Sequence, residues 1–217
     1  MADALRASIL TNPLLEESGQ TLDVAELFGI GKAKTRISVI SFVGLSSLEA
    51  QQQFVNQLAM ALFTWIKKNP SIGPTGVTGL FVLDEAKDFL PGGSNSSPCK
   101  KSLMRLAAQA RKYGLGMVVA TQNPKDLDYN AVAQFATQFF GRANSPQVID
   151  FIDTMLQAKG GSGEGVARLQ KGQFFVTSSE GLSHPVKVKV PLCLSNHPDG
   201  RPLTESEVLD HAKVPLL

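Results

Sequence analysis

Leu80-Phe81-Val82-Leu83-Asp84-Glu85 decides how the chain is read: four apolar residues, then two adjacent carboxylates. Together with Gly79 the apolar run is strand-sized and has no polar face. That suits a central parallel strand covered on both sides. Such a strand delivers Asp84 and Glu85 to the carboxyl edge of a sheet, where open α/β sheets bind ligands. In a nucleotide site the first carboxylate can hold Mg²⁺, directly or through water. The second can orient and polarise an attacking water. Asp84 capping the turn into the next loop would account for the hexapeptide equally well.

A second apolar run, Leu115 to Thr121, ends in the polar residues Thr121, Gln122 and Asn123 before Pro124. If it lies beside the first, Thr121 and Gln122 stand next to Asp84 and Glu85. The amide of Gln122 can donate to a phosphate oxygen and accept from water, the chemistry of a γ-phosphate sensor. Alone, this run reads as a polar strand end with an Asn-Pro turn. Between the two runs a helix is predicted from about Lys100 to Tyr113, with Gly114 as its C-cap. Lys101, Arg105 and Lys112 form a basic stripe on it, with Arg111 beside them, and Leu103, Leu106, Ala107 and Ala110 face the other way. The stripe reads as a solvated face, or as a surface for DNA phosphate or a neighbouring subunit's nucleotide.

Upstream, Ile37 to Val43 reads as a strand, and Ser46 or Ser47 caps a helix running to about Lys67. Its apolar positions Leu48, Val55, Leu58, Ala59, Leu62 and Ile66 follow the 3.6-residue period. Downstream come a helix near Leu127–Phe135, a strand at Thr137–Gly141 and a helix opened by Ser145-Pro146. The Gly-rich stretch 160–165 is a mobile loop or tight turn, and Gly172–Thr177 and Val186–Val190 read as late strands. Short helices are also expected at Leu5–Leu10, at Asp23–Phe28 and within Leu203–Lys213. The alternation of strands and helices predicts an α/β fold with a parallel sheet flanked by helices. Three regions follow: a partly helical segment 1–36, a core 37–191 and a tail 192–217.

The 217 residues suffice for one α/β domain with a core, and the composition, 43% apolar and 18% charged, is that of a folded protein. A net charge of +2 is too small to argue for nucleic acid by itself. The two cysteines, Cys99 and Cys193, have no metal-ligand spacing and are expected as reduced thiols in a cytoplasmic setting. No leader pattern opens the chain, and no apolar run approaches the roughly 20 residues of a membrane span.

One element of a nucleotide site is missing. A phosphate-binding loop needs G-x-x-x-x-G-K-[ST]. The Gly31-Lys32 dipeptide has Glu26 where the first glycine belongs and Ala33 where Ser or Thr belongs. By itself the chain is expected to bind ATP weakly or not at all.

Ile37 to Ser46, Glu49-Ala-Gln-Gln52, Leu83-Asp-Glu-Ala-Lys-Asp-Phe-Leu-Pro91 and Ala110 to Pro124, in that order, resemble the C-terminal half of HerA-like ATPases of the HerA/FtsK superfamily. The resemblance runs from about Arg36 to Val190, and Gly172–Pro191 looks like that domain's closing strands. It implies a RecA-like P-loop NTPase fold, incomplete on the P-loop side. It implies a homo-oligomeric, hexameric ring motor that moves double-stranded DNA, with a partner nuclease as a further possibility. By position it assigns Mg²⁺ and water handling to Asp84 and Glu85, and γ-phosphate sensing to Gln122 beside Thr121. It also implies an arginine reaching a neighbour's ATP. Arg142 is favoured because Phe140-Gly141-Arg142 ends a strand; Arg111 is the other candidate. The absent phosphate-binding loop is expected upstream, the chain then being a fragment. Alternatively the chain is a natural protein that relies on a partner or has become a non-catalytic assembly or DNA-binding module. Conjugation and secretion ATPases share much of the pattern.

Overall fold

A computed structural model describes residues 22–31, 33–42, 44–71 and 76–191, with 201, 203–204, 206–208 and 210 of the tail. The expected helix at Leu5–Leu10 and the thiol of Cys193 lie outside the described residues.

Helix α1 (Val24–Phe28) starts where the Asp23 carboxylate accepts the N–H groups of Ala25 and Glu26, and it ends at Gly29. Helix α2 (Leu48–Lys68) is capped by Ser47, whose hydroxyl accepts the Ala50 N–H at 3.1 Å. Val55, Leu58, Ala59, Leu62 and Ile66 are its buried stripe, as the periodicity predicts; Leu48, in the first turn, stays exposed.

Strands β1 (Gly79–Leu83) and β2 (Leu115–Val119) pair in parallel, Gly79 opposite Leu115 and Leu83 opposite Val119. Helix α3 (Lys100–Gln109) connects them and tightens into a 3₁₀ turn, Ala110–Tyr113. Gly114 closes that turn at φ 86°, with its N–H on the carbonyls of Ala110 and Arg111. A side chain there would meet Ser71 and the Gly76 carbonyl, so glycine is required by conformation and by space. Helices α2 and α3 cover one face of the β1–β2 pair. Phe81 and Leu83 point into that layer with Leu103 and Leu106, which are fully buried.

After short helix α4 (Tyr129–Val132) the chain forms β3 (Thr137–Phe140), helix α5 (Pro146–Gln157), β4 (Gln173–Ser178) and β5 (Val186–Lys189). The order β3–β4–β5 is antiparallel throughout. Helix α5 packs Ile152 and Leu156 against Phe140, Ala143 and Val166 beneath this second sheet. The parallel pairing expected through most of the chain therefore holds for β1 and β2, and the late strands are antiparallel.

The expected strand at Ile37–Val43 is a correction. Residues 37–42 are extended but join no ladder, and Ile37 and Val39 are 82% and 86% exposed. Local ties hold the segment elsewhere. Ser38 donates to the Leu27 carbonyl at 2.7 Å, Arg36 donates to Ser38, and Phe42 packs on Phe54 and Phe89. The predicted helix near Leu127–Phe135 is also shorter, because Asp128 caps it late, accepting the Ala131 N–H.

Candidate nucleotide site

The parallel register brings the carboxyl ends of β1 and β2 together. Ala120 N–H donates to the Leu83 carbonyl at 2.9 Å, and Ala86 N–H to the Ala120 carbonyl at 2.8 Å. Asp84 and Glu85 are thereby held beside Thr121 and Gln122, as the sequence predicts. The Gln122 amide Nε2 donates to Glu85 Oε1. Asp84 is exposed, and its Oδ1 accepts the Glu85 N–H at 2.9 Å.

Two features set Glu85 apart. Among the described residues it is the one non-glycine with positive φ, at 47°, in the left-handed region. That conformation costs an L-residue about 1–2 kcal/mol. Its Oε2 is buried and has no hydrogen-bond partner. A buried unsatisfied carboxylate oxygen costs free energy and is rare in folded proteins. Strain and an orphaned acceptor at one residue make Glu85 the candidate catalytic position of this site.

The loops behind these residues are stitched together. Asp128 N–H donates to the Leu90 carbonyl at 2.9 Å, and Gly92 N–H to the Asp126 carbonyl at 2.8 Å. Lys100 Nζ bridges the loops, 2.8 Å from both the Pro91 carbonyl and Asp128 Oδ2. Gln52, from α2, donates to the Asp88 carbonyl at 2.6 Å. This Lys100–Asp128 clamp has no signature in the sequence. Its two members are separated by α3 and β2, so no spacing marks them.

The Lys100 ammonium holds the Asp128 carboxyl below its ordinary pKa, against the opposing effect of partial burial. Its side chain is 14% exposed, so the pair is little screened. A depressed folded-state pKa adds stability above the unfolded value, and that stability is lost as pH falls through the folded one. Asp128→Asn is expected to lower stability by about 2 kcal/mol at neutral pH. It should also flatten the acid limb of the stability profile below pH 4. Urea melts across pH 2–7 measure both, and an unchanged acid limb would refute the assignment.

The remaining expected residues are spread along a cavity of about 1180 Å³ between β2 and β3. Thr121 lines it, and the Thr121 hydroxyl is engaged by the Asn123 backbone N–H at 3.2 Å. Arg142 lines it just beyond the end of β3 and is exposed. Arg111 lies at the opposite end of β2, just before its start, and its guanidinium grips the Glu180 carboxylate with both nitrogens. That contact raises the Arg111 pKa and depresses that of Glu180. Within one chain, Arg111 and Glu85 are thus separated by the length of a strand. Lys101, Arg105 and Lys112 stay exposed, with Arg105 over the Phe63 ring at 5.9 Å.

The donor set fits Mg²⁺ with a nucleotide. Mg²⁺ takes one or two carboxylates with phosphate oxygens and water. Asp84 is an exposed carboxylate, and Glu85 offers a buried oxygen with no partner. No cluster of three or more metal-ligating side chains occurs among the described residues, so an all-protein metal cage is not what this arrangement supplies. No described helix is long and apolar enough to cross a membrane.

No protein-family profile matches the chain. It is 30% identical over 123 residues to the DNA double-strand break repair helicase HerA of Sulfolobus acidocaldarius, a match spanning 55% of this chain and 25% of that protein. It is 28% identical over 117 residues to HerA of Sulfurisphaera tokodaii, covering 52% and 23%. The chain thus spans about a quarter of the length of these relatives. Among solved structures it is similar to the genome packaging NTPase B204 of Sulfolobus turreted icosahedral virus 2 in complex with ATPγS. That likeness has TM-score 0.55 and 18% identity, and covers 80% of this chain and 74% of the other. A complex of the same NTPase with AMPPCP gives TM-score 0.54 at 17% identity, covering 79% and 73%. The fold is therefore the P-loop NTPase type expected from the sequence, and the sequence is HerA-like over more than half of its length.

Proposed function

We propose that this chain is the carboxylate and sensor portion of a ring-forming, ATP-driven motor of HerA type that moves double-stranded DNA. The observation that carries the reading is the Gln122–Glu85 contact across the parallel strand ends, with Glu85 strained and its Oε2 buried without a partner. The likeness to HerA and to an ATPγS-bound packaging NTPase supports it.

In this reading the exposed Asp84 carboxylate would hold Mg²⁺. Bound Mg²⁺ would neutralise charge on the phosphate oxygens. Glu85 accepts a proton from water as the water oxygen bonds to the γ-phosphorus and the bond from that phosphorus to the bridging oxygen breaks. ADP leaves with that bonding pair. Gln122 links Glu85 to the γ-phosphate, because its amide can donate to a phosphate oxygen once that oxygen competes with Glu85. Arg142, exposed at the end of β3, is the arginine best placed to reach a neighbouring subunit's ATP, and it would stabilise charge on the transferred group. Arg111 is occupied by Glu180 and would first have to release it.

DNA titration of the assembled protein tests the motor reading. Binding should be independent of sequence and should fall steeply with salt, as phosphate-dominated contacts do. Binding that is insensitive to salt, or no DNA stimulation of ATP turnover, would refute it.

A further inference from the structure

The ladder between β1 and β2 ends before the residues that carry the chemistry. Its last bonds run from Ala120 N–H to the Leu83 carbonyl and from Ala86 N–H to the Ala120 carbonyl. Among the described residues no backbone bond joins 121–125 to the loop after Asp84. The next tie is an isolated antiparallel bridge, Pro91 opposite Leu127. It is made by Gly92 N–H on the Asp126 carbonyl and Asp128 N–H on the Leu90 carbonyl. Glu85 and Gln122 therefore lie between two attachment points, the ladder end and this bridge.

The bonds of a single bridge are a weak attachment, because water competes for the same groups and no ladder extends them. Lys100 reinforces this one. Its ammonium has three protons and three acceptors: the Pro91 carbonyl at 2.8 Å, Asp128 Oδ2 at 2.8 Å and the Asn95 carbonyl at 3.4 Å. Pro91 stands six residues beyond Glu85, and Asp128 stands six beyond Gln122. One cation thus ties the two loops at matching depth.

Lys100 does not serve its own helix. It occupies the first turn of α3 with no acidic residue there, at the end where the helix dipole disfavours a cation, and Cys99 gives no side-chain cap. A residue that breaks the local rule of its helix is expected to answer a need elsewhere. The fit of the loops is an independent sign. A Cβ on Gly92 would lie 2.6 Å from the Leu127 carbonyl oxygen, so the loops approach as closely as glycine allows. Gln52 of α2 holds the Asp88 carbonyl at 2.6 Å, which fixes the carboxylate loop from its other side.

We infer that Lys100 is a positioning residue: by clamping the loop after Gln122 onto the loop after Glu85, it holds the Gln122 amide against the Glu85 carboxylate. It bonds to neither side chain and acts through the Pro91–Leu127 bridge. The inference rests on the proposed function only for its consequence in turnover.

The test reads proton exchange of the Gln122 side-chain amide by NMR in the 217-residue chain. Lys100→Met keeps the stem and removes the ammonium. Gly92→Ala keeps the ammonium and forces the bridge apart by contact with Leu127. Each should speed Gln122 amide exchange by roughly tenfold, as for a donor released to water. The backbone amides of Phe175 and Thr177, which pair with β3, should keep their protection. Lys101→Met, at the exposed neighbour, should change neither. A clamp that merely stabilised the fold would not single out Gln122. With the chain joined to the part of Sulfolobus acidocaldarius HerA that precedes the matched region, Lys100→Met should lower kcat by roughly 10- to 100-fold, the cost of a misplaced catalytic group, with KM for ATP within about twofold.

Unchanged Gln122 exchange in the two variants overturns the inference, and so does an equal effect of Lys101→Met. Loss of β4 protection together with Gln122 protection also overturns it, since the clamp would then support the fold as a whole. Faster Gln122 exchange with undiminished turnover would keep the positioning and sink the proposed function.

Discussion

Replacing Glu85 by Gln in the proposed motor is expected to lower ATP turnover by roughly 10²–10⁴-fold, the range for loss of a positioned general base. Nucleotide affinity stays within about twofold, because the amide keeps the shape of the side chain and can still accept from Gln122. Replacing Glu85 by Gly separates catalysis from folding. It abolishes turnover as well, yet it relieves a left-handed backbone and removes a buried oxygen without a partner. Left-handed strain of about 1–2 kcal/mol, less the entropy glycine loses on folding, leaves stability raised by up to about 1 kcal/mol. Steady-state turnover and urea melts of both variants measure this. A variant that is inactive because it is destabilised would make Glu85 structural and would contradict the account.

The second large effect is on the fold. Leu103 is fully buried where α3 meets α2 and the underside of β1. Leu103→Ala removes three carbons from a site enclosed by Val55, Leu83 and Leu90. The expected loss is about 3–4 kcal/mol, from lost transfer energy plus the cavity left behind. For a domain of this size that lowers the melting temperature by about 10 °C. A shift below about 3 °C by calorimetry would mean that α3 does not anchor the sheet as described.

What was legible in the sequence was local. The apolar run before Asp84 and the one before Thr121 are strands, Ser47 is a cap and Gly114 is a stop, because each depends on near neighbours. The juxtaposition of Glu85 and Gln122 followed from a single further assumption, that consecutive strands of an α/β fold pair in parallel. The rest depends on distant partners. Ile37–Phe42 has the composition of a strand, but strands form where an edge is offered, and its side chains are held by Leu27, Phe54 and Phe89 instead. The antiparallel turn from β3 to β4 is set by packing on α5, which no short window contains. The left-handed backbone of Glu85 has no composition signal, since Glu is not a residue that favours it.

The missing G-x-x-x-x-G-K-[ST] gives the account its central claim. We propose that Asp84, Glu85 and Gln122 are part of a nucleotide site that a phosphate-binding segment completes. The direct measurement is steady-state ATP turnover of this 217-residue chain alone and joined to that segment. No appreciable hydrolysis by the chain alone, and turnover on joining that Glu85→Gln abolishes, is the predicted result. Robust turnover by the chain alone, or turnover on joining that is indifferent to Glu85, would contradict the claim.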